Sequence, residues 1–211
     1  MEIMKAAPMV PVFFNKDKAL CINVIKACYA GGVRVFEFTN RGEAAYDNFV
    51  ALRQIADQEM PELCLGIGSV VRGADAERFI AAGAEFVVGP CLSMPVLEVC
   101  KAKGIPYVPG CGTVTEIFNA QELGCELTKL FPGDVYGANM VKGLMAPMPW
   151  SKIMVTGGVA PEKENLEKWF KAGVYSVGMG SKLFPKEVIA AEDWAAITAK
   201  CQECFTIINN Q

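Results

Sequence analysis

Short, nearly continuous apolar runs recur along the chain, and between them apolar residues return every three or four positions. The short runs are Met9–Phe14, Val33–Phe38, Leu63–Ile67, Phe86–Val88, Tyr107–Val108, Leu127–Phe131, Ile153–Val155 and Ser176–Met179. Unbroken hydrophobicity over so few residues is the mark of a parallel strand covered on both faces. The intervening stretches, among them Asp17–Tyr29, Glu43–Gln58, Asp75–Ala81 and Glu162–Lys171, predict helices. The tail from Glu187 to Ile208 predicts one or two more.

Most helical stretches end on a glycine that leads directly into the next strand: Gly31-Gly32, Gly83, Gly104, Gly124 and Gly173. Such a residue supplies the left-handed cap that reverses the chain. Gly83, Gly104 and Gly124 stand about twenty residues apart, the length of one βα unit. The wider gaps, Gly32 to Gly83 and Gly124 to Gly173, each hold two units. Eight alternating repeats predict an α/β fold, a (β/α)8 TIM barrel, as a single domain over residues 1–211. An open doubly wound sheet is the other arrangement that eight such strands allow.

Composition narrows the function. A net charge of −3 builds no basic field, so nucleic acid is not expected as a partner. Mean hydropathy is positive. No run approaches the roughly 18–20 apolar residues of a membrane span, so no membrane is expected either. The apolar run from Ala6 to Phe14 carries Pro8 and Pro11, has Glu2 before it, and is read as a buried strand rather than a leader. Nine cysteines without a leader fit free thiols in a reducing cytoplasm. The one CxxC, Cys201 to Cys204, falls in the helical tail and reads as two cysteines on a helix face. The chain has no histidine. That removes Ser-His nucleophiles, HExxH metal sites and imidazole bases, leaving Glu, Asp, Lys, Tyr or Cys for proton transfer.

In α/β folds, chemistry gathers where strands end. Period two places Val35, Glu37 and Thr39 on one face of the second strand, pointing a carboxylate into an apolar interior. Burial raises the pKa of such a group toward the range useful for proton transfer. Arg41 follows, free to hold an anion or to pair with Glu37 as a purely structural bridge. Lys129 sits in another apolar strand, where an ammonium is costly unless paired or neutral. It is either a nucleophilic amine or a lysine reaching out to the barrel mouth. The strand ends Thr156-Gly157-Gly158 and Gly178-Met179-Gly180-Ser181 offer backbone N–H groups, the usual phosphate cradle of barrels. Gly66-Ile67-Gly68-Ser69 adds a hydroxyl, or merely a tight turn.

Glu37-Phe-Thr-Asn-Arg41, Gly66-Ile-Gly-Ser69, Lys129-Leu-Phe-Pro132, Thr156-Gly-Gly158 and Gly178-Met-Gly-Ser181 together resemble the 2-keto-3-deoxy-6-phosphogluconate (KDPG) and 4-hydroxy-2-oxoglutarate (KHG) aldolases. The likeness extends over essentially the whole chain, including Gly31-Gly-Val-Arg34 and Pro109-Gly110. It implies a lyase, a class I aldolase using neither metal nor other cofactor, that acts on a phosphorylated 2-keto acid and assembles as a homotrimer. In that likeness Lys129 forms the Schiff base and Glu37 shuttles protons. Arg41 and Ser69 hold the pyruvyl carboxylate. Gly157, Gly158, Gly180 and Ser181 cradle the phosphate, with Pro90 and Phe131 as walls. The chain departs from the resemblance just after the first strand. Many relatives carry an arginine there that reaches the distal end of the substrate, where this chain has Phe13-Phe14-Asn15-Lys16. Either Lys16 or Lys18 substitutes, or the distal group differs. A phosphosugar isomerase or epimerase, a 6-phosphogalactonate-type aldolase and a non-catalytic sugar-acid-binding barrel share much of this pattern.

Overall fold

The computed structural model describes residues 7–210. Residues 1–6, which include Glu2 and the start of the Ala6–Phe14 run, lie outside the described residues, as does residue 211. The strands are β1 (Met9–Phe13), β2 (Val35–Thr39), β3 (Cys64–Gly68), β4 (Val87–Val88), β5 (Tyr107–Val108), β6 (Gly110–Cys111), β7 (Thr128–Leu130), β8 (Ile153–Thr156) and β9 (Ser176–Met179). The helices are α1 (Lys18–Ala30), α2 (Ala45–Glu59), α3 (Gly73–Ala81), α4 (Met94–Lys103), α5 (Val114–Glu122), α6 (Gly133–Met145), α7 (Lys163–Lys171), α8 (Lys186–Ala190) and α9 (Trp194–Asn209).

Every strand pairing is parallel, and the order runs β5-β4-β3-β2-β1-β9-β8-β7-β6. The two outermost strands, β5 and β6, are neighbours in the chain, separated only by Pro109. Val108 pairs back to β4, Gly110 pairs forward to β7, and the Pro109 carbonyl accepts from the Lys129 amide at 2.9 Å. The chain itself therefore closes the sheet, and β5 with β6 make one strand interrupted by a residue that has no N–H to donate. Eight βα units close as a barrel, and the open doubly wound sheet is excluded. The fifth strand expected at Tyr107–Val108 is only half of that element.

Local chemistry explains several boundaries. Asp17 caps α1 by accepting from the Leu20 amide at 3.1 Å. Thr113 and Glu116 form a reciprocal capping box at the start of α5. Gly104, at φ 66, ends α4 in the left-handed conformation. The expected start of the second strand at Val33 moves to Val35, because the Val33 amide is held by the Cys28 carbonyl closing α1. The tail forms two helices, α8 and α9, parted near Glu192 at φ 52.

Two apolar layers result. Val35, Val88, Val108, Leu127 and Met154 fill the barrel interior, while Phe36, Phe38, Ile67 and Leu130 pack outward under the helices. The nine cysteines are free and all but Cys91 are buried. Burial pushes the thiols of Cys64, Cys111 and Cys204 up to about 12, so these behave as small core hydrophobes. Cys201 and Cys204 both lie on the buried face of α9, as expected of a packed helix face. Among the described residues no helix is long and apolar enough to cross a membrane.

Candidate active site

Val35 belongs to the barrel interior while Phe36 and Phe38 face the helices, so Glu37 points inward, as the period-two alternation requires. Leu127 is likewise interior and Leu130 exterior, which turns Lys129 inward as well. The two charged groups meet there, with Lys129 Nζ 3.9 Å from Glu37 Oε1. Glu37 is 1% exposed and Lys129 5%. Lys129 is therefore not a lysine reaching out to solvent. Its Nζ also lies 5.0 Å from the centre of the Phe131 ring.

Room for the carboxylate comes from β3. A Cβ at Gly68 would overlap the Glu37 carboxylate, so the absence of a side chain there makes the space that Glu37 fills. Neither carboxylate oxygen has a hydrogen-bond partner among the described residues. Burial pushes the Glu37 carboxyl above its ordinary range, against the opposite pull of the Lys129 and Arg41 charges.

The structural Glu37–Arg41 bridge that the sequence allowed is not formed: the ion-pair partner of Glu37 is Lys129. Arg41 instead donates from Nε to Ser69 Oγ at 3.1 Å. Ser69 holds a left-handed φ of 61, a strained setting for a residue with a Cβ.

Further along the strands a cavity of about 420 Å³ opens. Arg41, Phe131, Thr156, Gly157, Gly158, Gly180 and Ser181, all singled out from sequence, line it together. Thr156 Oγ1 is buried without a hydrogen-bond partner, and a Cβ at Gly178 would strike it. Ser69 reaches the cavity only through Arg41. Pro90 does not line it: its carbonyl fills the space where a Cβ at Gly110 would stand. Lys16 and Lys18 are exposed and do not line the cavity, and Phe14 packs against Phe38 with ring centres 5.7 Å apart. The expectation that one of those lysines stands in at the distal end is not met by this geometry. Two charged residues that sequence reasoning missed do line the cavity, Asp134 and Lys182. Lys182 directly follows Gly180-Ser181 and Asp134 stands two positions past Pro132, and nearness to a noted motif is the only signal that could have found them.

A buried amine and a buried carboxylate, side by side inside the barrel with a glycine-rimmed cavity further along the strands, are equipment suited to Schiff-base chemistry on a carbonyl. The family model for KDPG and KHG aldolase matches residues 1–200, and the chain belongs to that family. The KHG/KDPG aldolase of Escherichia coli K12 is 35% identical over 205 residues, covering 96% of this chain and 92% of that protein. Among solved structures, a KDPG aldolase from Legionella pneumophila with pyruvate captured at low pH as a covalent carbinolamine intermediate superposes with a TM-score of 0.85. It is 28% identical and the match covers 95% of each chain. The 2-keto-3-deoxy-6-phosphogluconate aldolase of Zymomonas mobilis ZM4, with 3-phosphoglycerate, gives a TM-score of 0.84 at 26% identity, covering 96% of this chain and 93% of that one.

Proposed function

We propose that this chain is a class I aldolase that cleaves 2-keto-3-deoxy-6-phosphogluconate to pyruvate and glyceraldehyde 3-phosphate, and by the same steps 4-hydroxy-2-oxoglutarate to pyruvate and glyoxylate. The observation that carries the proposal is the buried Lys129–Glu37 pair, 3.9 Å apart. The Lys129 amine adds to the C2 carbonyl, and Glu37 supplies the proton with which the carbinolamine loses water. The resulting protonated imine accepts the electrons of the C3–C4 bond as that bond breaks. The C4 hydroxyl gives its proton to Glu37 through a water, the aldehyde leaves, and an enamine stays on Lys129. Protonation at C3 and hydrolysis release pyruvate and restore the free amine. Arg41, steadied by Ser69, holds the pyruvyl carboxylate, and Phe131 walls the site. The glycine turns at Gly157–Gly158 and Gly180–Ser181 receive the terminal phosphate.

The chain acts as a homotrimer in the cytoplasm. Reduced thiols support the compartment. Support for assembly comes from exposed apolar residues on consecutive βα connections: Val71 after β3, Met94 opening α4, Val114 opening α5, and Val135 with Tyr136 in the first turn of α6. Ser93 Oγ donates to the Val71 carbonyl and joins the first two of these sites. Tyr136 Oη stands where a Cβ on Gly112 would fall and joins the last two.

Borohydride reduction in the presence of pyruvate tests the reaction class. Trapping should add one reduced pyruvyl group per chain, located on Lys129 by peptide mass, and Lys129→Ala should lose both the adduct and pyruvate release. An adduct formed at the parent rate in Lys129→Ala overturns the assignment.

A further inference from the structure

The two charged cavity residues outside the recognised motifs meet the cavity differently. Lys182 follows Gly180 and Ser181 in a turn closed by the Leu183 amide on the Gly180 carbonyl at 2.9 Å. Buried Met179 precedes that turn, and buried Leu183 and Phe184 follow it, with the Phe184 ring edge-on to Phe13 at 4.9 Å. The backbone that presents Lys182 is therefore pinned at both ends. Among the described residues its ammonium has no ion pair or hydrogen bond, whereas the other cavity cation, Arg41, is tied to Ser69.

Strand register places the turn that carries Lys182 toward the far end of the cavity from Lys129. Lys129 pairs with Met154, and Met154 pairs with Ser176. Gly180 lies four residues past Ser176, about 13 Å further along at the usual rise of a strand. Gly180 and Lys182 therefore stand on the side of the cavity toward which the far end of a chain anchored at Lys129 would extend. Asp134 sits at that same end. Its Oδ1 and Cβ lie where side chains on Gly157 and Gly158 would begin, 2.9 and 2.7 Å from those Cβ positions.

We propose that Lys182 is the specificity-determining cation of this site, its ammonium holding a terminal phosphomonoester of the substrate while the Asp134 carboxylate opposes the same dianion. This rests on the Schiff-base reading above and gives the distal charge a residue that neither Lys16 nor Lys18 supplies. An ammonium facing a phosphate binds the ground state and the transition state alike, so its removal acts on KM more than on kcat. Because Lys182 is exposed, its pull on the anion is screened by salt.

The test compares kcat/KM for 2-keto-3-deoxy-6-phosphogluconate with that for its dephosphorylated form in the parent, Lys182→Met, Lys182→Gln, Lys182→Arg and Asp134→Asn. The ratio should fall by about tenfold or more in the Met and Gln variants, chiefly through KM of the phosphorylated substrate. It should stay near the parent value in Lys182→Arg and rise in Asp134→Asn. The parent ratio should also decline with ionic strength, more steeply than that of Lys182→Met. Near-ultraviolet circular dichroism confirms that each variant is folded. Ratios in Lys182→Met and Lys182→Gln equal to the parent's overturn this proposal alone. A parent that traps no pyruvate under borohydride overturns the Schiff-base reading beneath it.

Discussion

A carboxylate that is 1% exposed, with neither oxygen hydrogen-bonded, keeps its proton to a higher pH than one in water. Glu37 is that group, and two consequences follow at the level of the residue. The first concerns rate. In the proposed reaction Glu37 first gives a proton to the carbinolamine and then takes one from the C4 hydroxyl, so its titration should shape the pH profile of kcat, with the limb it governs at a pH above the ordinary Glu value of about 4.3. Glu37→Gln should erase that limb and lower kcat by about 10²–10⁴-fold while sparing imine trapping better than turnover. A variant within a few-fold of the parent would leave Glu37 as a structural partner of Lys129. The second concerns stability. The folded state binds this proton more tightly than the unfolded chain, so the contribution is present below the unfolded value and is lost as pH rises through the raised one. Thermal melts between pH 4 and 8 should show the parent losing stability, relative to Glu37→Gln, as pH increases.

For elements, the site depends on what β3 leaves out. Gly68 carries no Cβ, and the Glu37 carboxylate uses that space. Gly68→Ala should destabilise the fold by about 1–3 kcal/mol through overpacking. It should lower kcat more than it alters KM, because the displaced group is the proposed proton carrier. Chemical denaturation and steady-state kinetics check the two effects separately, and a parent-like kcat would show that β3 does not position Glu37. Strands and helices were legible where periodicity was strong, as in β2, where alternation alone set the face of Glu37. They were less legible where the backbone overrode the pattern. Pro109 divides one strand into β5 and β6, and the carbonyl that closes α1 holds Val33 out of β2. Neither event leaves a mark in hydrophobicity.

At the scale of the whole molecule, five of the exposed apolar residues, Val71, Met94, Val114, Val135 and Tyr136, lie on the βα connections from β3 to α6, while Phe118 and Trp150 lie elsewhere. Val135, at 73% exposure, is the most open of them. Assembly through this surface should appear as a species of three times the chain mass in analytical ultracentrifugation. Val135→Asp should shift that population toward lighter species, at a cost to the folded chain of no more than about 0.5 kcal/mol, since the position is a surface one. A parent sedimenting as a monomer at micromolar concentration would remove the trimer from the account.

The order of strands and helices, the inward face of Glu37 and the glycine-rich strand ends follow from the chain's own periodicity and turn chemistry, which act over a few residues. The absence of histidine narrowed the acid–base groups before any fold was known. Distances between strands are another matter. Sequence allowed Glu37 to pair with Arg41, four residues away, because nearness in the chain is all it can offer. Closure of the barrel brings Lys129 to 3.9 Å instead, across a gap of ninety-two positions, and turns Arg41 to Ser69. Lys182 and Asp134 belong to the cavity for the same reason. A side chain's charge is written in the sequence, but the direction it faces is set by the turn that carries it and by the buried residues that pin that turn.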